Sequence, residues 1–311
     1  MRVRALLTLA ALVASGCSVR RFAVNKIGDA LASGGSTYES DEDLELVGSA
    51  LPFGLKLTES LLAESPRHQG LLLAACRGFT LYAYGYVHQE ADRVSVDDLD
   101  RGSQLRARAR RLFLRARRYG LRALDLRYPG ISQKLETDAR TAVAAVRKPD
   151  VPLLYWNGAA LGLAISSARH DAELLARIPE VEALLERALA LDERWQDGAL
   201  HEFQVVFAAT RPGAATPDTA RLKKHLDRAV GLSGGRRASA YVAYAEAVSV
   251  RTQNRAEFRS LLEKATAIDP DKHEEIRVSN LIAQQRARWL LGRADDLFLE
   301  EEAPAPPGPK P

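Results

Sequence analysis

Three segments in the C-terminal half of the chain repeat one pattern, and this repetition limits the possible folds more than any other feature. They read EALLERALALDE, KKHLDRAVGLSG and RSLLEKATAIDP. Each has apolar residues at three- and four-residue spacing, which is typical of a helix, and ends at a Pro, Gly or polar stop. Each also has a small residue near that end, namely Ala188, Ala229 and Ala265. A small side chain at this position lets neighbouring helices approach closely, so the repetition predicts stacked helices.

These segments resemble the second helix of a tetratricopeptide repeat (TPR), and Pro270 matches the proline that follows that helix. First helices with the expected pattern occupy residues 68–92, 151–167, 198–209 and 238–250. Residues 131–146 predict an inserted helix and residues 274–298 a final one. We therefore expect an all-α chain in which residues 40–299 form one domain, a superhelical stack of degenerate TPR-like helical hairpins with a C-terminal capping helix.

The stretch GFTLYAYGYVHQEAD allows two interpretations. At a period of two, its tyrosines would line one face of a β-strand. At a period of 3.6, Tyr82, Tyr86 and Gln89 share one side of a helix and Tyr84 lies on another. The segment from residue 70 to residue 92 runs for 23 residues without a proline. That length is exceptional for a strand and ordinary for a helix, so we expect a helix.

The N-terminus has the pattern of a bacterial lipoprotein signal. MRVR supplies two arginines, and the next ten residues are apolar apart from one threonine. This apolar run is too short to span a membrane, which takes about 20 residues, but suits a secretory signal. ASGC (residues 14–17) resembles a lipobox, with Ala where Leu is usual. We expect a signal peptide over residues 1–16, lipidation of Cys17, a tether over 17–39 and a disordered Pro-rich tail over 300–311; the alternative is an ordinary signal peptide that contains a Cys.

The charges are mixed, with 44 basic and 40 acidic residues and a net charge of +4. One segment departs from this balance, because residues 101–127 contain ten arginines. The same segment has an ordinary apolar stripe that includes Leu105, Leu112 and Ala116, so we expect its arginines to lie on solvated faces. Nucleic-acid binding and contact with anionic lipid headgroups are the alternatives, and an exported protein is not expected to bind nucleic acid.

Motifs for catalysis and metal binding are absent from the sequence. It has no HExxH, GxSxG, P-loop or CxxC motif, and its histidines lack neighbours at metal-ligand spacing. Cys76 lies among apolar residues, which predicts a buried and unreactive thiol. We therefore expect no enzymatic activity, no cofactor and no metal.

Bulky polar residues recur on the first helices and on the last one. In a TPR stack the first helices line the concave surface, where ligands bind. A place in the core is the alternative for any single aromatic, but a core rarely collects so many hydroxyls and amides with a His–Glu pair. The expected ligand- or pore-lining residues are Tyr82, Tyr86, Gln89, Tyr155, Trp156, Asn157, His201, Glu202, Tyr241, Tyr244, Gln284 and Arg288.

Several blocks in order resemble the T component of TPR-associated TRAP transporters (the TatT family). The blocks include DVPLLYWNGAALGLAIS, ALALDERWQDGALHEF and NLIAQQRARWLLGRADDLFLE, and the resemblance covers about residues 24–299. It implies a lipid-anchored, all-helical protein on the periplasmic side of the envelope, expected at the outer membrane. It also implies a homotrimer with a pore in each subunit, and a periplasmic substrate-binding protein of a TRAP-type uptake system as partner. The family brings no catalytic residues, and its implied pore lining falls on the residues named above.

Three functions follow from these features. The first is a lipid-anchored accessory protein that docks the substrate-binding protein and holds or passes a hydrophobic or organic-acid ligand. The second is a TPR-like envelope scaffold that binds another protein or peptide and no small molecule. The third, an exported hydrolase, has no motif to support it.

Overall fold

The computed structural model describes residues 24–30, 36–168, 170–210 and 218–299. Every regular element in these ranges is helical, which confirms the all-α fold. The superhelical course of the hairpins stays a prediction. The expected signal peptide, Cys17 and the Pro-rich tail lie outside the described residues.

The helices follow one another closely along the chain. Their bounds are α1 (24–30), α2 (Ser36–Glu39), α3 (Leu44–Glu64), α4 (Gln69–Tyr82), α5 (Gln89–Val94), α6 (Leu99–Arg127), α7 (Ile131–Thr137), α8 (Ala139–Ala144), α9 (Val151–Ser166), α10 (Ala172–Leu175), α11 (Ile178–Leu191), α12 (Ala199–Thr210), α13 (Thr219–Ser233), α14 (Ala238–Tyr244), α15 (Arg255–Thr266), α16 (Arg277–Gly292) and α17 (Ala294–Leu297). Two π-helical segments, Ala83–His88 and Ala245–Ser249, extend α4 and α14.

Asp or Asn side chains cap the start of four longer helices, α3, α6, α13 and α15. Asp43 accepts hydrogen bonds from the backbone N–H groups of Glu45 and Leu46 at 2.9 and 3.0 Å. Asp98 and Asp218 cap α6 and α13 in the same way. Such a cap satisfies backbone donors that have no partner inside the helix, so these residues decide where each hairpin turns.

The predicted boundaries agree with the structure except in two places. The helix expected over residues 131–146 is two helices, because Asp138 ends α7 and its side chain caps α8 by accepting from the N–H of Thr141. The final helix expected over residues 274–298 begins at Arg277 and ends at Gly292.

Successive helices pack against each other through two cores. The first core is shared by α3, α4, α6, α9 and α11, and the second by α12 to α16. The repeated small residues Ala188, Ala229 and Ala265 are all buried, as predicted. At Gly198, whose φ is +93°, an added Cβ would lie 3.0 Å from the Cα of Ala229. The close approach of α12 and α13 therefore depends on two small residues.

The last long helix does more than cover the end of the stack. Helix α16 packs on α14 and α15 and also contacts α2 and α3. The Nη1 atom of Arg277 donates to the backbone oxygen of Ser40 at 2.7 Å. Ile282 lies against the π-helical segment at Gly85, where an added Cβ would lie 3.1 Å from its Cδ1. The two ends of the described domain thus meet at α16.

A buried ion pair and a buried thiol lie inside the first core. Arg117 of α6 donates to Glu180 of α11, and both side chains are buried. Cys76 of α4 is also fully buried, and burial raises the pKa of its thiol to about 12. The prediction of a buried thiol is confirmed.

Candidate functional site

The two π-helical segments lie at equivalent places in their hairpins. The N–H of Gln89 bonds to the oxygen of Tyr84, and the N–H of Val250 bonds to the oxygen of Ala245 at 3.2 Å, which are five-residue steps. A π-helical turn rotates the side chains that follow it, and such turns occur frequently at functional sites. Both segments border the space between α5, α14 and α16.

Arg286 of α16 joins α5, which follows the first π-helical segment, to the second π-helical segment through carboxylates. Its Nη2 atom lies 2.8 Å from Oδ2 of Asp92, and its Nε lies 3.2 Å from Oε2 of Glu246 while Nη2 bonds to Oε1. Its guanidinium also lies 4.4 Å from the ring centroid of Trp289. Burial by itself would lower the pKa of Arg286, but Glu246 and Asp92 outweigh that effect and raise it. We call Arg286, Asp92 and Glu246 the Arg286 node.

An aromatic pair lies beside this node. The rings of Tyr84 and His88 stack with centroids 6.3 Å apart, and His88 lies edge-on to Phe113 at 6.4 Å. Burial lowers the pKa of His88, which favours the neutral imidazole. Tyr84 has 39% of its surface exposed, and yet burial within surrounding protein raises the pKa of its hydroxyl. Tyr84 is therefore surrounded by protein groups, while part of its side chain remains exposed to water.

A second group of polar side chains comes from α9, α12 and the start of α14. Glu202 accepts from the Oγ of Ser239 at 2.9 Å and lies 3.4 Å from the Nε of Arg237. Burial raises the pKa of Tyr155, and both Glu202 and Tyr84 raise it further. Glu202 also raises the pKa of Tyr84. These electrostatic effects indicate that the two tyrosines and Glu202 lie near one another, and we call the space between them the interior cleft.

Two of the expected lining residues lie on a different side of their helix. The rings of Tyr82 and Tyr86 stack with centroids 5.9 Å apart. The hydroxyl of Tyr82 accepts from Nη2 of Arg108 on α6 at 3.3 Å. Tyr86 packs on α3, where an added Cβ at Gly48 would lie 2.5 Å from its ring. Tyr84 and not these two therefore faces the interior cleft.

The three expected amides are buried between helices. Asn157 donates to the backbone oxygen of Leu153 at 2.7 Å, and Gln284 donates to that of Ile268 at 2.6 Å. Gln89 is buried as well. Their contribution to a ligand site stays a prediction.

His201 and Glu202 are adjacent in sequence but point to different places. Glu202 faces the interior cleft, whereas His201 packs between α12 and α13. Its Nδ1 lies 2.8 Å from Nδ1 of His225, and its Nε2 lies 3.1 Å from Oε1 of Glu193. Arg228 bonds to both oxygens of Glu193 at 2.5 and 2.6 Å and helps to lower its pKa to about 2. Within the described ranges, no three His, Cys, Asp or Glu side chains are grouped to hold a metal.

The remaining expected residues divide between the cleft, the core and the surface. Trp156 is buried and lies edge-on to Tyr155, with ring centroids 4.9 Å apart. Tyr244 is buried in the second core, Tyr241 lies against the turn at Gly235, and Arg288 is exposed.

The structure therefore brings together two of the expected residues, Tyr155 and Glu202, with Trp156 behind them. The sequence reasoning missed the other residues of the cleft. These are Tyr84, His88, Asp92, Arg237, Glu246 and Arg286. One signal was available, because Tyr84, His88 and Asp92 follow at four-residue spacing and share a helix face.

Comparison with known proteins decides the family. Residues 40–298 match the family model described as the TRAP transporter T-component. The chain belongs to the TRAP transporter T-component family. It is also similar to an uncharacterized protein of Treponema pallidum (strain Nichols), with 29% identity over 310 residues that cover 93% of this chain and 95% of the relative.

Membership of the T-component family supports an accessory role in TRAP transport. None of the helices in the described part of this T-component combines the length and the apolar character needed to cross a bilayer.

Proposed function

We propose that this T-component is a lipid-anchored periplasmic protein that docks the substrate-binding protein of a TRAP-type uptake system and holds a ligand in its interior cleft. The family match supports the transport role, and the signal-like N-terminus with Cys17 supports the anchor and its place at the outer membrane. A homotrimer is part of this proposal, as the resemblance to the T-component family implies.

The observation that carries the ligand proposal is that the side chain of Tyr84 is surrounded by protein and is also partly exposed to water. Its hydroxyl is accessible, and no described protein group bonds to it. Tyr155 offers a second hydroxyl of the same kind across the cleft. Enclosed hydroxyls that lack a protein partner are suited to hydrogen bonding with a bound molecule.

The charges of the cleft favour one of the two expected ligand classes. Each guanidinium that faces the cleft is already paired, Arg286 with two carboxylates and Arg237 with Glu202. The paired carboxylate of Glu246 is 37% exposed, while Arg286 is 8% exposed. An organic acid would meet accessible negative charge and no free cation among the described residues. An apolar ligand with a neutral polar group, which can hydrogen-bond to the two hydroxyls, fits better than a free acid.

The cleft is tested by the ligand that the purified full chain retains. Native mass spectrometry of the wild type and of Tyr84→Trp, which fills the cleft, should show a bound small molecule in the first and loss of it in the second. Tyr82→Trp is the matched control, since Tyr82 is on the same helix and faces α6. If the two variants retain the ligand equally, the cleft is not the binding site.

The docking and the anchor have separate tests. The protein should co-elute with the substrate-binding protein of its own TRAP system, and failure to do so at high concentration of both would argue against docking. Retention of the partner by a chain that binds no small molecule would instead favour the scaffold function.

Mass spectrometry of the N-terminal peptide should show acylated Cys17, and an unmodified thiol in membrane-extracted protein would exclude the anchor. Light scattering should give the mass of a trimer, and a monomer mass would remove that part of the proposal.

A further inference from the structure

One face of α6 is a row of exposed arginines. Arg101, Arg108, Arg111, Arg118 and Arg122 follow at spacings of three, four or seven residues, which places them on one side of the helix. All five are exposed. The row is about 30 Å long, because a helix rises 1.5 Å per residue. We call these five residues the arginine face.

The five residues of the arginine face differ from the opposite face of the same helix by the absence of acidic partners. Arg115, which lies on the same side four residues after Arg111 but is only partly exposed, does pair with Glu59 and is not part of the arginine face. On the opposite face every arginine has a carboxylate: Arg106 pairs with Asp92, Arg110 with Asp171 and Arg117 with Glu180. The five residues of the arginine face pair with no carboxylate of the described chain.

The contacts that the arginine face does make are with neutral groups. Arg108 donates to the hydroxyl of Tyr82, and Arg122 donates to the backbone oxygen of Pro66 at 2.9 Å. Like charges three and four residues apart repel each other along a helix, so this row lowers the stability of α6 when nothing neutralises it. The row is better explained by an anionic surface outside the chain than by the fold.

The surface along this row is shaped by shallow depressions. Two cavities of about 370 and 360 Å³ follow one another along the helix, the first at Arg101, Arg108 and Arg111 and the second from Arg108 to Arg118. Guanidinium groups at the rim of a small depression can hold a phosphate through paired hydrogen bonds.

One end of the arginine face lies beside the segment that leads to Cys17. Arg122 contacts Pro66, and the neighbouring Ser65 donates to Oδ1 of Asn25 in α1 at 2.7 Å. The Nε2 atom of His68 lies 3.2 Å from the backbone oxygen of Asn25. Cys17 is seven residues before residue 24, so the chain between them spans at most about 25 Å.

We propose that the arginine face lies on the membrane surface and binds the phosphates of anionic lipid headgroups. The role of the tether in bringing this face to the membrane rests on the lipid anchor of the proposed function. The attraction of its arginines for phosphate does not depend on that anchor. Each basic residue near an anionic membrane raises binding roughly fivefold. The lipid on Cys17 attaches the protein, and the arginine face then sets its orientation, with α6 along the membrane.

Binding to lipid vesicles tests this proposal without the anchor. A chain that starts at residue 18 keeps every residue described in the structure and carries no lipid. It should sediment with vesicles of phosphatidylcholine and phosphatidylglycerol, bind vesicles of phosphatidylcholine alone far more weakly, and detach as salt is added. The variant Arg108→Gln, Arg111→Gln, Arg118→Gln should bind the anionic vesicles roughly 100-fold more weakly, from three losses of about fivefold each.

A matched variant separates the arginine face from net charge. Lys224→Gln, Arg259→Gln and Lys264→Gln remove three exposed charges from α13 and α15. This control should bind as the wild type does, and an equal loss would mean that only total charge matters and overturn the proposal. It would also be overturned if the wild type showed no preference for anionic vesicles. A third refuting result is an arginine-face variant that binds vesicles normally but no longer co-elutes with the substrate-binding protein, because the face would then be a protein docking surface. Equal melting temperatures of the three proteins confirm that all are folded.

Because this assay contains no acyl chain, its outcome is independent of the anchor. An unmodified Cys17 in the native protein would remove the anchor from the proposed function and leave vesicle binding by the arginine face intact. Loss of vesicle binding in a protein with acylated Cys17 would overturn the proposal for the arginine face and leave the anchor of the proposed function intact.

Discussion

Replacement of Arg286 by methionine tests whether the Arg286 node holds the last long helix to α5 and to the second π-helical segment. Methionine keeps an unbranched side chain and good helix propensity, so the main change is the loss of the guanidinium. Glu246 then loses its two hydrogen bonds, and Asp92 keeps Arg106, whose Nη2 is 3.2 Å away.

The expected loss of stability follows from how buried each group is. Removal of one partner of a fully buried ion pair costs about 3–5 kcal/mol. Here the guanidinium is 8% exposed but the carboxylates of Asp92 and Glu246 are 20% and 37% exposed. Water can therefore solvate part of the unpaired charge, and we expect about 2–3 kcal/mol. For a domain of this size that corresponds to a fall in melting temperature of about 4–6 °C.

Arg293, the residue that follows the last residue of α16, is a matched control. Its guanidinium also lies over the ring of Trp289, at 5.2 Å compared with 4.4 Å for Arg286. Its carboxylate partner Asp296 is largely exposed. Arg293→Met should therefore cost less than about 1 kcal/mol, since exposed ion pairs add little.

Urea and thermal unfolding followed by circular dichroism measure both variants. A double-mutant cycle of Arg286→Met with Glu246→Gln should give a coupling energy of about 1 kcal/mol or more, because the two side chains bond directly. Equal losses for Arg286→Met and Arg293→Met, or no coupling with Glu246, would refute the structural role of the node.

Three further predictions concern other buried groups. Burial and a neighbouring histidine lower the pKa of His225 to about 4, so the unfolded chain binds a proton more readily and stability falls as the pH drops from about 6.5 towards 4. Between pH 7 and 5 the wild type should lose about 1–2 kcal/mol more than His225→Gln, and identical pH profiles would contradict this. Glu180→Gln leaves Arg117 buried without its carboxylate and should cost about 3–5 kcal/mol in urea unfolding, while Glu186→Gln on the surface of the same helix should cost under about 1 kcal/mol. The buried thiol of Cys76 should react with an aromatic disulfide reagent only when the protein unfolds, and rapid labelling of native protein would show that the site opens.

The fold could be predicted from the sequence because its determinants are local. Apolar spacing, capping residues and the repeated small residues each act within one or two turns of helix, and Ala229 packs on Gly198 as the repeat pattern requires. The one inserted helix that was predicted as continuous is interrupted by Asp138, a residue type that competes with the helix by capping the next one.

The interior cleft could not be predicted in the same way, because its contacts join distant parts of the chain. Arg286 and Asp92 are 194 residues apart, and no periodicity relates them. The π-helical segment also changes which side chains share a face, since a helical wheel assumes 3.6 residues per turn throughout. Consecutive residues of a helix point about 100° apart, so His201 and Glu202 contact different neighbours, and a place for His201 in a ligand site stays a prediction.

The distribution of carboxylates differs between the interior cleft and the arginine face, and this difference determines how each would interact with an anion. Along α6 the arginines that face neighbouring helices have acidic partners, as do Arg237 and Arg286 at the interior cleft. A guanidinium that is already paired gains little from a ligand carboxylate and costs energy to separate from its partner, so the cleft discriminates against free acids. The five arginines of the arginine face have no acidic partner in the described chain, although Arg115 beside them pairs with Glu59, so their attraction for phosphate is retained. In the two proposals, the position of the acidic residues thus separates a neutral ligand site inside the protein from an anion-binding surface outside it.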